Sequence, residues 1–83
     1  MQLTEGMVVC ATAGKEKGSF MVVTQLDGNA VYLADGKHRT LNKPKRKNVK
    51  HIQLTRKVLV LEGLTDRALR RKLQERDAQL EGI

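Results

Sequence analysis

The sequence predicts a mainly β domain, a small five-stranded barrel with an α-helix at its C-terminal end. Three observations carry this. Short apolar runs rich in β-branched residues recur through residues 7–61 at roughly 8–12-residue spacing. Turn-forming residues separate them: Gly14 and Gly18, then Asp27-Gly28-Asn29, then Asp35-Gly36. Residues 66–81 contain neither Gly nor Pro and are rich in helix formers.

The elements follow in order. Gly6 opens the run Met7-Val8-Val9-Cys10-Ala11-Thr12, whose length and flanking glycines favour a strand. Residues 20–26 read as a second strand, continuous enough in apolar character to be well buried. Asp27-Gly28-Asn29 is a tight-turn signal, because these residues tolerate positive φ. It pairs a third strand, residues 30–34, antiparallel to the second. His38-Arg39-Thr40-Leu41 is the expected short fourth strand, with Leu41 pointing inward. Asn42-Lys43-Pro44-Lys45-Arg46-Lys47-Asn48 has no apolar residue except proline, and Pro44 cannot donate to a central ladder. It reads as an exposed loop. In residues 49–55, Ile52 and Leu54 share one face and His51 and Gln53 the other. This fits a fifth strand or a short helical turn entering one. Residues 57–61 either extend that strand or cross the mouth of the barrel. Thr65 suits a helix N-cap and Asp66 the positive end of the dipole. Leu69, Leu73 and Leu80 form a thin apolar stripe, able to dock on the barrel or on a partner, and Gly82 is a natural stop. The expected division is a barrel over 1–61, with a basic loop at 42–50, and a helical tail over 62–83. A closed SH3-like barrel is the economical solution at this size, since closure removes exposed edges.

Composition limits the function. The chain has 83 residues, enough for one domain burying about 60% of its unfolded surface and leaving little room for a deep catalytic cleft. At 40% apolar residues it is too hydrophobic to be wholly disordered. Cys10 is the only cysteine, which excludes an intramolecular disulfide or a thiolate cluster. It is expected to be buried and inert. Residues 1–5 lack the basic start and apolar run of a signal peptide, and no apolar stretch is long enough to span a membrane. The expectation is a cytoplasmic, monomeric protein.

The net charge of +7 is unevenly placed. Residues 1–36 carry Lys15 and Lys17 against Glu5, Glu16, Asp27 and Asp35, and residues 58–83 carry five charges of each sign. Residues 37–57 hold nine Lys or Arg and no acid. Such a block points to a polyanion partner. In Ala13-Gly14-Lys15-Glu16-Lys17-Gly18-Ser19, two glycines frame two lysines between apolar strands. That pattern places cations beside backbone N–H groups, which suits a phosphate backbone. The competing reading is a solvated basic loop that serves only solubility.

The order of apolar strand, Gly14-Lys15-Glu16-Lys17-Gly18 and apolar strand Val22-Val23 resembles the KOW motif. That motif occurs in large-subunit ribosomal proteins and in transcription elongation factors. Val31-Tyr32-Leu33-Ala34-Asp35-Gly36-Lys37, followed by Arg46-Lys47-Asn48-Val49-Lys50-His51-Ile52, is similar to the archaeal and eukaryotic ribosomal KOW proteins. The chain as a whole resembles short bacterial KOW-domain RNA-binding proteins. The resemblance covers residues 3–55. Many KOW motifs have a third glycine where this chain has Ser19-Phe20-Met21. The ribosomal-type proteins are also apolar there, which favours that branch.

The resemblance implies an SH3-like barrel and contact with RNA, ribosomal RNA first, and with ribosomal proteins. The expected RNA-binding residues are Gly14, Lys15, Lys17, Gly18, Lys37, Arg39, Lys43, Lys45, Arg46, Lys47, Asn48, Lys50 and His51. With Phe20 and Tyr32 as its only aromatics, the chain has few stacking platforms, so recognition by shape and phosphate is expected over base readout. His38 and His51 lack companions for a metal site. Ser19 has no evident His and Asp partners, and the glycine loop lacks P-loop order. No catalytic residue, metal or cofactor is expected. Two rival readings remain. One is a transcription-type KOW module contacting RNA polymerase or nascent RNA. The other is an SH3-like protein-interaction module, for which two aromatics make a poor groove.

Overall fold

The computed structural model describes residues 2–80, with side chains over 2–74. Five strands form one antiparallel sheet: β1 (Met7–Ala11), β2 (Phe20–Asp27), β3 (Ala30–Ala34), β4 (Lys45–Asn48) and β5 (Ile52–Val58). A single 3-10 turn, Val49–His51, joins β4 to β5, and helix α1 spans Asp66–Leu80. The strand order is β4-β3-β2-β1-β5.

That order places β4 and β5 at opposite edges, yet only three residues connect them. Opposite edges of a flat five-stranded sheet lie about 19 Å apart at the usual spacing of ~4.8 Å. Three residues of 3-10 helix advance only about 6 Å. The sheet must therefore curl. Register shifts between Met7 and Val9 and between Val23 and Gln25 supply part of the bend. The turn itself continues both edge ladders. Val49 N–H donates to Asn29 O at 2.8 Å, and His51 O accepts from Thr12 N–H at 2.8 Å.

The apolar runs of β1, β2 and β3 are continuous because these strands are covered on both faces. Val9 lies opposite Met21, and Val8 opposite Val22. Residues paired across an antiparallel ladder share a face. Met7, Val9, Met21, Val23, Val31 and Leu33 accordingly form an inner cluster, with Leu3, Val49, Ile52 and Leu54 packed around it. Val8, Val22 and Ala34 form an outer cluster with Leu59, Leu69 and Leu73. Helix α1 thus docks on its own sheet through the Leu69–Leu73 stripe. The Leu80 side chain and Gly82 lie outside the described residues. Thr65 caps the helix as expected, its Oγ1 accepting from Ala68 N–H at 3.1 Å.

Two expectations fail together. His38–Leu41 is not a strand, and the basic stretch taken as a loop contains one. Asp35 is the physical reason for the first. Its Oδ1 accepts from the N–H groups of Lys37 and Arg39, at 2.8 and 2.9 Å, capturing donors that a ladder would use. The backbone closes the same turn, with Asp35 N–H and Gly36 N–H both donating to Arg39 O. The free edge of β3 then pairs with β4 in the register Leu33↔Lys45, Tyr32↔Arg46, Val31↔Lys47 and Ala30↔Asn48. Ladder bonds need no apolar side chains at an edge, and Pro44 lies just outside the strand. A third expectation also shifts, since Cys10 is half-buried rather than buried.

Gly36 interlocks the Asp35 turn with α1. It has φ +80°, and a Cβ built there would overlap the Asp66 carbonyl oxygen and crowd Arg70 Cγ. Asp66 answers from the helix side, its Oδ1 accepting from Leu41 N–H at 2.8 Å.

Candidate nucleic-acid interface

The loop between β1 and β2 is built from nested turns. Gly18 N–H donates to Ala11 O, Ser19 N–H to Glu16 O and Lys17 N–H to Gly14 O. Gly14 and Gly18 adopt φ of 80° and 86°, the left-handed region that glycine enters without steric cost. The chain reversal exposes Lys15 and Lys17 and turns Glu16 inward. The expectation that this loop offers its backbone N–H groups to a ligand therefore does not extend to Lys17, Gly18 and Ser19. Those three are engaged with carbonyls of the loop or of Ala11 at the end of β1. The loop also presents the exposed side chains of Lys15 and Lys17.

Strand β4 sorts the basic block by its pleat. Lys45 and Lys47 share the inner face with Leu33 and Val31, at the rim of the core. Arg46 and Asn48 share the outer face with Tyr32 and Ala30 and are exposed.

Glu16 is the hub that binds these parts. Its Oε2 lies 3.3 Å from Arg39 Nη2, and its Oε1 lies 3.5 Å from Lys47 Nζ. Lys47 Nζ also donates to Ala13 O at 2.9 Å. The side chains of Lys47 and Glu16 are only 8% and 14% exposed, against 35% for Arg39. Glu16 Oε1 is buried without a hydrogen bond, so its contact with Lys47 is an ion pair only. Burial pushes the Glu16 pKa up. The hydrogen bond from Arg39, the Lys45 charge, the residue's own backbone N–H and the Lys47 charge outweigh it, leaving the carboxyl below its usual range.

The thirteen expected residues therefore divide. Lys47 is an internal cation, and Arg39 is partly so. Asn48 is exposed, but its Oδ1 accepts from Lys50 N–H at 2.9 Å and caps the 3-10 turn. Gly14 and Gly18 shape the loop. Lys15, Lys17, Lys37, Lys43, Arg46, Lys50 and His51 are exposed, and Lys45 is half-buried. Lys15 and Arg39 line one open cleft of about 400 Å³ with Glu16, Ser19, Asp35 and His38. Glu16 escaped sequence reasoning as a hub. The available signal was a lone acid between two lysines in a chain whose acid-free residues 37–57 hold nine cations. Ser19 and His38 were not anticipated as lining residues. Nothing in local sequence brings residues 15–19 beside 35–39.

Among the described residues, no three of His, Cys, Asp and Glu gather as a metal site, and no helix is long and apolar enough to cross a membrane. No protein-family model matches the chain, and no curated protein matches it.

Proposed function

We propose that this chain is a non-enzymatic RNA-binding protein of the KOW type. It would grip the phosphate backbone of structured RNA, ribosomal RNA first, in translation or ribosome assembly. The observation that supports this reading best is the division of charge around Glu16. The one inward-turned acid of the loop is neutralised by Lys47 and Arg39. The exposed cations Lys43, Arg46 and Lys50 then face solvent from an acid-free stretch of chain. A surface of this kind displaces counterions from RNA, so its affinity falls steeply with salt.

Gel shifts with large-subunit ribosomal RNA fragments at low and moderate salt test the proposal. Binding at low salt that weakens as salt rises is the expected result. No binding at low salt, or binding insensitive to salt, would sink the phosphate grip. Sedimentation of the native protein through a sucrose gradient tests the cellular setting. Co-migration with large ribosomal subunits is expected, and a free position argues against the ribosomal part.

A further inference from the structure

A groove runs from the 15–19 loop across the Asp35 turn to helix α1. The cleft that Lys15 and Arg39 line shares Ser19 and Asp35 with a second cleft of about 310 Å³. Lys37 and Arg70 stand on the walls of this second cleft, and Phe20 and Leu73 contribute apolar surface to it. The two clefts adjoin at Ser19 and Asp35, and together they make up the groove. Lys15, Lys37 and Arg70 border it, together with the Arg39–Glu16 ion pair and the Asp35 carboxylate. Both carboxylates are already engaged. Glu16 pairs with Arg39 and Lys47, and Asp35 Oδ1 holds the N–H groups of Lys37 and Arg39.

Arg70 is positioned rather than merely exposed. Its Cγ lies against Gly36, where even a methyl group would be crowded. The helix beneath it is anchored by Leu69 and Leu73 and by the Asp66–Leu41 hydrogen bond. The stem of Arg70 is therefore held at the end of the groove, so its guanidinium loses less freedom on meeting an anion.

We propose that this groove is a second RNA site, in which a single-stranded stretch of sugar-phosphate backbone leaves the basic β4 surface and runs up to Arg70 on α1. The inference rests on the RNA-binding reading above. The cations stand on three segments of chain, a spread that an extended polyanion can follow, and the RNA-binding reading above selects a nucleic-acid strand over an acidic peptide. The half-buried Phe20 ring suits a sugar or base edge beside the phosphates. Helix α1 thereby has two roles, covering the outer core with its Leu69–Leu73 stripe and extending the RNA path with the flank beside it that carries Arg70.

The test uses the full chain and a hairpin RNA carrying a single-stranded uridine extension. Three variants are compared: Arg70→Glu, Arg70→Lys and Lys72→Glu. Lys72 is exposed and lies about 160° round the helix from Arg70, so it controls for net charge. Thermal melts confirm that each variant keeps its helix docked. Arg70→Glu is expected to weaken binding about tenfold and to lower the salt slope by roughly 0.7, the value of one single-strand phosphate contact. Arg70→Lys should stay within about threefold of the parent, and Lys72→Glu within about twofold. Trimming the uridine extension should abolish the difference between Arg70→Glu and Lys72→Glu.

Equal losses for Arg70→Glu and Lys72→Glu would overturn the groove while leaving the RNA reading intact, provided Arg46→Glu still weakens binding. Competition by poly-glutamate that depends on Arg70 would reassign the groove to an acidic peptide. Failure of the parent protein to bind this RNA at low salt would remove both proposals together.

Discussion

Arg46 and Lys47 are neighbours on β4, and the strand's pleat sends them to opposite fates. Lys47 shares the inner face with Val31, is 8% exposed, and serves Glu16 and the Ala13 carbonyl. Arg46 shares the outer face with Tyr32 and stands in solvent. One cation holds the first loop to the sheet edge and the other is available to a partner. The basic block is therefore not a uniform patch. The number of phosphates it can neutralise is smaller than its number of lysines and arginines.

The strongest way to break this comparison is to reverse the exposed set. Lys43, Arg46 and Lys50 changed together to Glu should lower RNA affinity on the order of 100-fold at low salt, because three phosphate contacts become repulsive. The melting temperature should move little, since surface substitutions away from structural contacts stay near ±0.5 kcal/mol each. A collapse in stability would show that these side chains are structural too.

Next comes the internal cation. Lys47→Met keeps the stem but removes the ammonium from Glu16 and Ala13. Loss of a charge-assisted hydrogen bond predicts destabilisation of about 1.5–3 kcal/mol, read by urea or thermal unfolding. RNA affinity of the folded protein should change only about twofold. If Lys47→Met instead matched Arg46→Met in affinity and left stability untouched, the two faces of β4 would not differ in role.

Glu16→Gln sharpens the same division from the anion's side. It should cost about 1 kcal/mol of stability, as the ion pairs with Arg39 and Lys47 become contacts between a cation and a neutral amide. It should also raise RNA affinity about twofold, because Arg39 and Lys47 lose their internal counter-charge. A fall in affinity would mean that the loop must be held by the ion pairs for binding to occur.

The smallest effect is the pH dependence of that pair. The Glu16 pKa is depressed in the folded protein. A depressed carboxyl contributes stability that is complete above its unfolded pKa and is lost as pH falls through the folded value. The stability gap between the parent and Glu16→Gln should therefore narrow as pH drops below about 4.3, the ordinary Glu value. Urea titrations at pH 7 and pH 3 measure it. A gap that widens toward acid would reverse the assigned role of the carboxylate.

Several features were readable in the residues because the physics is local. Gly28 in the Asp27-Gly28-Asn29 turn has positive φ, and the hairpin it closes pairs Leu26 with Val31. Asp35 forms the turn expected of an Asp before Gly. Thr65 caps the helix. The fourth strand was not readable. A ladder at a solvent edge leaves no hydrophobic period, so Lys45–Asn48 looks like a loop. His38–Leu41 looks like a strand although Asp35 has taken its donors. Charge alone located the basic block but did not distinguish the internal Lys47 from the exposed Arg46 beside it.

The sequence by itself determined the mainly β character, the β2–β3 hairpin, the start of the helix and the location of the surplus charge. Each depends on neighbours within a few positions, through turn chemistry, capping and periodicity. Tertiary structure alone decided which lysine is internal and that Glu16 joins Arg39 and Lys47. It also decided that α1 lies on Val8, Val22 and Ala34, and that Arg70 reaches the groove beside Lys37. Those choices pair groups more than 20 positions apart. Curling of the sheet and docking of the helix bring them together, and residue order along the chain carries no trace of that distance in space.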